Sequence, residues 1–329
     1  MEKLCFGVDV GGTKTAVCAG LERADGMEIL DRAAFATTPH EPEPTLQKLL
    51  ALLGKLKNTH GAPAAVGVSC GGPLDAAAGR IYAPPNLPGW DGVGITGRIT
   101  AHLGVPAALE NDADAGALAE HRYGAGRGAD SMIFLTFGTG LGAGLILNGA
   151  LYRGASGMAG EAGHIRLAPG GPVGYYKAGS FEGFCSGGGL RQLGQMEIER
   201  RLAQGGAAPW VRAHAGGGGP SARELAEAAR AGDAAALAVF ELCGTRFGEG
   251  LSVLIDLLNP QRIVAGSIFA RCEDLLRPAM ERAIAREALT PSARACQVVP
   301  AQLGEQIGDY AALSVAFACA AAESRGKGA

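Results

Sequence analysis

Short apolar runs that end at glycines recur along this chain. The apolar run 4–10, the turn 11–15 and the apolar run 16–20 predict a strand, a tight turn and a returning strand. The segment 131–148 has the same plan, with glycines and threonines between two apolar runs. We therefore predict two β-hairpins. Their common plan suggests two related domains that face each other, and a chance likeness between glycine hairpins is the alternative.

Helical and strand patterns alternate over the rest of the chain. Leucines at helical spacing follow a proline-rich start at residue 41, and Ser221-Ala-Arg-Glu224 is a capping box that opens a helix. We expect the apolar C-terminal helix to return and pack on the first domain. The predicted helices are 41–57, 95–104, one from about 112 to 124, 188–204, one from 221, 233–259 and 305–323; the predicted strands are 64–72, 105–110, 262–266 and 297–301; the predicted loops are 84–90 and 205–220.

One uncharged stretch, residues 131–152, is long enough to cross a bilayer. It contains five glycines, two threonines and an asparagine, a composition that is more typical of two buried strands joined by a glycine turn. We therefore interpret this stretch as the second hairpin, and we expect no membrane partner.

Composition narrows the class of protein further. Hydrophobic residues make up 47% of the chain and the formal net charge is −3, which favours a folded core and gives no electrostatic reason to expect a nucleic-acid partner. The 53 glycines have no period of three, so they belong to particular turns and close contacts rather than to a collagen. The eight cysteines form no C-x-x-C pair. Because Asp9 and Lys14 interrupt the N-terminal apolar run, we do not expect this run to be a signal peptide. We expect a reduced, cytoplasmic protein.

The first hairpin turn has the chemistry of a phosphate site. Two glycines let backbone N–H groups converge on an anion, while a threonine adds a hydroxyl group and a lysine adds a positive charge. An aspartate at the strand end offers the oxygen ligands that phosphate-bound Mg²⁺ prefers. These residues are Asp9, Gly11, Gly12, Thr13 and Lys14.

Each glycine turn taken alone has a second interpretation. The chain has no Walker A motif, and Gly-Gly by itself satisfies a type I′ hairpin turn. Thr139 and Gly140 in the second turn are open to the same two interpretations. The two turns together with Asp9 favour a nucleotide clamp.

Three segments of the chain resemble the ROK family, which comprises repressors, open reading frames and sugar kinases. They are DVGGTKTAV from Asp9, ENDADAGALAE from Glu110 and GTGLGAGLILNGALYRGASGMAGEAGHI from Gly138. The resemblance covers nearly the entire chain. It implies an α/β, two-domain, actin-like ATPase fold of the ribonuclease H-like type, with an interdomain cleft that binds ATP and Mg²⁺. We assign 1–113 and 305–329 to a small N-terminal domain, and 114–304 to a large C-terminal domain.

The resemblance also implies roles for single residues. Asp112 would be the catalytic base that accepts a proton from a sugar hydroxyl group, and a helix N-cap is the alternative interpretation. Because a helix begins there, we expect a lowered pKa for Asp112. The implied sugar ligands are Gly72, Asn86, Asn111, Glu161, His164 and Glu182. The implied ATP and phosphate ligands are Asp9, which also serves Mg²⁺, and Gly11, Gly12, Thr13, Lys14, Thr139, Gly140 and Gly266; the alternative for Gly266 is a plain strand-to-helix turn.

The zinc motif of the family is altered in this chain. Many members bind zinc with three cysteines and the histidine that corresponds to His164. Counting from His164 puts Val173, Tyr175 and Ser180 at the cysteine positions. We therefore predict that the zinc site is lost, while Glu182 beyond it is retained. Four nearby aromatic residues suggest a plug that pins this loop instead; they are Tyr175, Tyr176, Phe181 and Phe184.

The leading hypothesis for function is an ATP-dependent hexose kinase that phosphorylates glucose at the 6-hydroxyl group. N-acetylmannosamine, N-acetylglucosamine or another hexose is the alternative substrate, and a non-catalytic sugar-sensing protein is the alternative function. The first strand begins by residue 5, so we expect no DNA-binding module like that of the family's repressors, which favours the kinase branch. The resemblance alone implies a homodimer.

Overall fold

A computed structural model describes residues 2–23, 26–205, 214 and 217–326, and it divides the chain into two compact units. Unit 1 comprises 1–128, 153–157 and 302–329; unit 2 comprises 129–152 and 158–301. The sequence led us to a division after residue 113. The structure instead keeps 114–128 with unit 1, because the helix that begins at Asp112 packs against the C-terminal helix of that unit.

Unit 1 is built on a five-stranded sheet with the strand order β3-β2-β1-β4-β8. β1 and β2 form the first predicted hairpin, and β1, β4 and β8 run parallel to one another. β3 is an outer strand that we did not predict, and β5, β6 and β7 form a separate small sheet. The strands are β1 Lys3–Val10, β2 Lys14–Arg23, β3 Gly26–Ala36, β4 Val66–Cys70, β5 Leu74–Asp75, β6 Arg80–Tyr82, β7 Asp91–Gly94 and β8 Ala107–Asn111.

Four helices complete unit 1: α1 Pro42–His60, α2 Ile95–Leu103, α3 Asp112–Tyr123 and α11 Ile307–Gly326. As predicted, α11 packs on the sheet of the first unit. A Cβ on Gly67 in β4 would overlap backbone atoms of Ala312 and Ala316, so glycine lets the helix backbone lie directly on the strand. Glu120 of α3 accepts hydrogen bonds from the N–H groups of Gln302 and Leu303 at 3.0 and 2.9 Å, which fixes the segment that leads into α11.

Unit 2 repeats the sheet topology of unit 1, with the strand order β11-β10-β9-β14-β15. β9 and β10 form the second predicted hairpin, and β9, β14 and β15 run parallel. In both sheets the first hairpin strand is central, with its antiparallel partner on one side and a parallel strand on the other. The similarity between the two hairpins thus extends to the whole sheets. The strands are β9 Met132–Leu135, β10 Ala143–Leu147, β11 Ala150–Leu151, β12 Val173–Gly174, β13 Lys177–Ala178, β14 Arg262–Ala265 and β15 Gln297–Pro300.

The helices of unit 2 surround a core rich in phenylalanine. Ser221 and Glu224 form the predicted capping box, and Asp233 caps the long helix α7. Phe240 and Phe247 of α7 are fully buried. The helix α9 was not predicted. The helices are α4 Phe181–Phe184, α5 Gly187–Ala203, α6 Ala222–Arg230, α7 Ala234–Leu258, α8 Ile268–Arg271, α9 Glu273–Glu287 and α10 Thr290–Ala295.

The structure answers two further points raised by the sequence. Within the described ranges, no helix has the length and apolar character that a bilayer crossing requires, and the uncharged stretch 131–152 contains β9, β10 and β11 instead. All eight cysteines are free thiols. Most of the predicted loop 205–220 lies outside the described residues.

Candidate active site

The polar residues of unit 1 gather at the carboxyl ends of three neighbouring parallel strands. In the sheet register Val10 lies beside Cys70, and Cys70 lies beside Asn111. The glycine turn 11–13, Gly71-Gly72 and the start of α3 follow these three strand ends. Ligand sites of α/β sheets form at this kind of edge, so the topology brings the predicted phosphate and sugar residues of unit 1 together.

Three polar side chains converge on the pair Gly71-Gly72. Asn86 Oδ1 and Asp112 Oδ2 each lie 3.9 Å from the position that a Cβ on Gly71 would take. Asn111 Nδ2 lies 3.1 Å from the equivalent position on Gly72. The two glycines therefore keep open the space in front of one carboxylate and two amides, which is the polar environment that a sugar requires.

The helix α3 is capped by Asn111 and not by Asp112. Asn111 Oδ1 accepts a hydrogen bond from the Ala113 N–H group at 2.9 Å, and Asp112 is the first residue of the helix. The alternative interpretation of Asp112 as the N-cap is therefore wrong. Asp112 is exposed.

The pKa of Asp112 is raised, whereas the helix N-terminus led us to expect a lowered pKa. Although the residue is exposed, surrounding protein atoms restrict hydration of the carboxylate, and this effect outweighs the lowering by the backbone N–H groups of Ala113 and Asp112. A raised pKa makes a carboxylate a better proton acceptor near neutral pH.

Asp9 lies among other acidic groups of unit 1. Restricted hydration, and then the negative charges of Asp309 and Asp112, raise the pKa of Asp9 to about 6, while Lys14 and Arg32 oppose this shift. Asp309 is buried and is bound by Arg32 Nε at 2.6 Å. The protein neutralises the negative charge around Asp9 only in part. A carboxylate in such surroundings is suited to bind a divalent cation through its oxygen atoms. Sequence reasoning missed Asp309, because no motif links α11 to the first strand.

The first glycine turn rests on the loop that carries Asn86. Gly11 N–H donates to the Lys14 carbonyl group at 3.0 Å and closes the turn. A Cβ on Gly12 would lie 2.6 Å from the Asn86 carbonyl oxygen and 2.7 Å from the Asn86 Cβ. Thr13 and Lys14 are exposed. Glycine at position 12 therefore permits direct contact between the predicted phosphate turn and a predicted sugar ligand.

The second glycine turn is longer, and its backbone is anchored within unit 2. Thr136 Oγ1 accepts a hydrogen bond from the Gly142 N–H group at 2.9 Å. Gly187 N–H, at the start of α5, donates to the Gly138 carbonyl group at 2.8 Å. Thr139, at the tip of the turn, is exposed. The turn 136–142 contains no charged residue, so it offers a ligand only backbone groups and hydroxyl groups.

Gly266 directly follows β14, the strand that pairs with β9 beside the second turn. Gly266 N–H donates to the Leu135 carbonyl group at 2.9 Å, and Ser267 Oγ lies 3.6 Å from the position of a Cβ on Gly138. Ser267 has a φ of +50°, which is rare for a residue with a side chain and is typical of functional sites. Sequence reasoning named Gly266, but no signal in the sequence reveals the strained backbone beside it.

The sugar residues predicted in unit 2 lie on two adjoining segments. Glu161 precedes the 3₁₀ turn Ala162–His164 and His164 is its last residue, and both are exposed. Glu182 lies on α4 and is half-buried, and its Oε2 accepts a hydrogen bond from the Leu141 N–H group at 3.0 Å. Glu182 therefore contacts the second glycine turn, which the sequence did not indicate.

The predicted aromatic plug is wrong as a set of four residues. Tyr175 and Tyr176 form the turn between β12 and β13, and they are 58% and 93% exposed. Their rings contact each other at a centroid distance of 5.4 Å. Phe181 and Phe184 are buried in the core of unit 2. The tyrosines occupy a hairpin tip, so their rings contact solvent and each other.

Hydrogen bonds hold the segment 173–180, in which we expected the zinc cysteines to be replaced. Lys177 Nζ donates to the His164 carbonyl group at 2.7 Å. Gln192 of α5 receives the Val173 N–H group at 2.8 Å and donates to the Val173 carbonyl group at 2.9 Å. In the described part of the chain, no group of three or more His, Cys, Asp or Glu side chains is arranged to hold a metal ion.

A duplicated α/β sheet with a glycine turn at the central strand of each half defines the class of actin-like ATPases. The sequence profile of the ROK family matches residues 5–318, and the chain belongs to this family.

Individual relatives agree with this assignment. The glucokinase of Streptomyces coelicolor is 30% identical over 322 residues, which are 95% of this chain and 97% of the relative. A ROK hexokinase from Thermus thermophilus has a TM-score of 0.77 at 29% identity, covering 97% of this chain and 98% of that one. A ROK family glucokinase from Streptomyces griseus, solved with glucose and AMPPNP, has a TM-score of 0.75 at 31% identity, covering 96% and 99%.

Proposed function

We propose that this protein is an ATP-dependent hexose kinase that phosphorylates glucose at the 6-hydroxyl group. The observation that carries the proposal is the convergence of Asp112, Asn86 and Asn111 beside the first glycine turn. The likeness to a glucokinase from S. coelicolor, and to one from S. griseus that binds glucose and AMPPNP, supports the choice of sugar and nucleotide.

The reaction is an in-line transfer of the γ-phosphoryl group. The sugar hydroxyl oxygen attacks the γ-phosphorus of ATP while Asp112 accepts the hydroxyl proton. A new oxygen–phosphorus bond forms, the bond from phosphorus to the β-phosphate oxygen breaks, and ADP leaves with that electron pair. The remaining sugar hydroxyl groups are bound by Asn86, Asn111, Glu161, His164 and Glu182, and Gly72 leaves room for the sugar.

The nucleotide is bound mainly by the two glycine turns. Asp9 would hold Mg²⁺, which would neutralise charge on the phosphates. The acidic surroundings that raise the pKa of Asp9 support this role. The phosphates are bound by Gly11, Gly12, Thr13, Lys14, Thr139 and Gly140, and Gly266 lets adenine approach.

An ADP-release assay with Mg²⁺ and a panel of sugars tests the proposal. The panel contains glucose, mannose, fructose, allose, N-acetylglucosamine and N-acetylmannosamine, and we expect the highest kcat/KM with glucose. A higher kcat/KM with an N-acetyl sugar would correct the substrate. Sugar binding in calorimetry without turnover of any sugar would indicate a sugar-sensing protein and reject the kinase.

The substitution Asp112→Asn tests the base. Asparagine keeps the shape of the side chain but cannot accept the proton, so we expect kcat to fall by about 100- to 10,000-fold while glucose affinity changes little. Asp91→Asn, at an exposed carboxylate in β7, is the matched control and should leave kcat unchanged. Activity of Asp112→Asn within about tenfold of wild type, or roughly 1.4 kcal/mol, would exclude Asp112 as the base.

A further inference from the structure

Glu182 lies where three glycine-containing segments of unit 2 meet. A Cβ on Gly140, in the second glycine turn, would lie 2.7 Å from Glu182 Oε2. A Cβ on Gly174 in β12 would lie 2.8 Å from the Glu182 Cβ, and one on Gly163 would lie 3.3 Å from it. Glycines from three separate segments thus leave room for one carboxylic side chain, and this packing restricts where that side chain can go.

The backbone of Leu141 is contacted on both sides of its Cα atom. Glu182 Oε2 accepts the Leu141 N–H group at 3.0 Å. Gly163 lies so close to the Leu141 carbonyl oxygen that a Cβ on Gly163 would overlap it. The segment 160–164, which carries two of the proposed sugar ligands, therefore lies directly against the second glycine turn. A shift of either segment must be accommodated by the other, because packed backbones deform little.

The second carboxylate oxygen of Glu182 remains open to a ligand. Within the described ranges, Glu182 Oε1 makes no hydrogen bond to the protein. A carboxylate accepts hydrogen bonds at both oxygens, so Glu182 can receive the backbone N–H group and a sugar hydroxyl group at the same time. The geometry thus connects a sugar-side contact to the backbone of the nucleotide-side turn through one side chain.

We propose that Glu182 is a positioning residue that transmits sugar binding to the second glycine turn. A sugar hydroxyl group on Oε1 holds the carboxylate in place, so that Oε2 fixes the Leu141 peptide and with it the turn 136–142. The fixed turn binds nucleotide more tightly because the ordering cost has been met before nucleotide arrives. Coupling of this kind is reciprocal, so nucleotide also tightens sugar binding. The inference rests on the proposed function, since it adds a task to a proposed sugar ligand.

Calorimetry of the full chain with Mg²⁺-AMPPNP, without and with saturating D-glucose, measures the coupling. We expect glucose to lower the Kd for AMPPNP about tenfold in the wild type, within the range usual for coupled sites. Glu182→Ala should reduce this ratio to below about twofold. Glu182→Gln should retain most of the ratio, because its amide oxygen still accepts the Leu141 N–H group.

Gly140→Ala perturbs the same link without changing Glu182 itself. Its Cβ would displace Oε2 from the Leu141 N–H group, so the ratio should fall as it does in Glu182→Ala. Gly170→Ala is the matched control, since a Cβ on Gly170 meets no atom within 4 Å, and it should keep the wild-type ratio. A merely structural role of Glu182 would lower melting temperature in the variants without removing the ratio.

The outcomes separate this inference from the proposed function. The inference is overturned if glucose does not change the Kd for AMPPNP in the wild type, or if Glu182→Ala keeps the wild-type ratio of the two Kd values. If Glu182→Ala does not fold, a wild-type ratio in Gly140→Ala overturns the inference equally. A wild type that binds both ligands with coupling but phosphorylates no sugar rejects the kinase and leaves the Glu182 link supported. If the wild type phosphorylates a sugar and Glu182→Ala keeps the coupling, the Glu182 link is rejected and the proposed function stands.

Discussion

The two glycine turns hold equivalent positions in two sheets of the same topology, yet they differ in chemistry. The first turn follows the acidic residue Asp9, carries the exposed Lys14 and rests on the Asn86 backbone. The turn 136–142 contains no charged residue and is held by Glu182 and by the start of α5. The two sheets therefore share their strand topology, but only the first glycine turn has charged residues.

Because of this difference, we expect the two turns to bind phosphates in different ways. A turn with a carboxylate and an ammonium group near it can bind a metal ion and respond to pH and salt. A turn made of glycine backbone depends instead on the position of its N–H groups, which the packing around it determines. Substitutions in the first turn should therefore change charge-dependent properties, whereas substitutions around the second should act through geometry.

Among substitutions in the two turns, the largest effect is expected from Gly12→Ala. Its Cβ would meet backbone atoms of Asn86, the nearest at 2.6 Å, so the turn or the sugar-side loop must move. A displacement of about 1 Å at reacting groups can lower the rate by about 100-fold, and we expect kcat/KM for glucose to fall by about that factor. In the second turn, Gly140→Ala meets only the end of the Glu182 side chain, and its loss should be nearer tenfold.

Gly97→Ala controls for the glycine-to-alanine change itself. Gly97 is exposed in α2, and a Cβ there meets no atom within 4 Å. The change should raise the free energy of unfolding by about 0.5–1 kcal/mol and leave kcat/KM unchanged. Equal losses in Gly12→Ala and Gly140→Ala would contradict the contrast between backbone and side-chain contact.

Asp9→Asn should stabilise the ligand-free protein while lowering its activity. Folding raises the pKa of Asp9 from 3.8 to about 6, so the folded protein holds its proton more tightly than the unfolded chain. The contribution of Asp9 to stability therefore falls as pH rises from about 4 to 6, and the full cost, at most about 3 kcal/mol, is present above pH 6. Asparagine removes this cost, because it carries no charge to bury.

Urea unfolding of both proteins at pH 5 and pH 8 checks this sign. We expect Asp9→Asn to be more stable by about 1–3 kcal/mol at pH 8 and by less at pH 5. Asp91→Asn, at an exposed carboxylate of the same unit, should show no such pH-dependent gain. A variant that is less stable at pH 8, or a gain that is equal at both pH values, would contradict the charge cluster around Asp9.

Much of the fold was predictable because its signals are local. The two hairpins, the capping box at Ser221 and the helix that begins near Asp233 follow from short patterns whose backbone chemistry needs no distant partner. The strand β3 and the helix α9 were missed. α9 contains Pro278, and a proline inside a helix argues against a helical prediction even though Leu276, Ala279, Met280 and Ala283 form a buried apolar stripe.

The sequence proposed the residues of the candidate site but not the contacts among them. Asp112, Asn86 and Asn111 are brought together by the register of parallel strands, which short motifs do not contain. The proximity of Asp309 to Asp9, and the hydrogen bond from Leu141 to Glu182, join segments far apart in sequence. Such contacts depend on how helices pack on sheets, so one sequence alone does not reveal them.

The smallest effects should come from the exposed side chains of the two turns, Lys14 and Thr139. Lys14→Met removes a charge, and we expect the Kd for Mg²⁺-ATP to rise about tenfold at low salt, or roughly 1.4 kcal/mol. Thr139→Ala removes one hydroxyl group, worth about 0.5–1.5 kcal/mol, so its Kd should rise by no more than about tenfold. Because mobile ions screen exposed charges, 0.5 M salt should shrink the effect of Lys14→Met and leave that of Thr139→Ala unchanged. Calorimetry at both salt concentrations measures this, and equal salt dependence in the two variants would mean that the turns do not differ as charged and backbone sites.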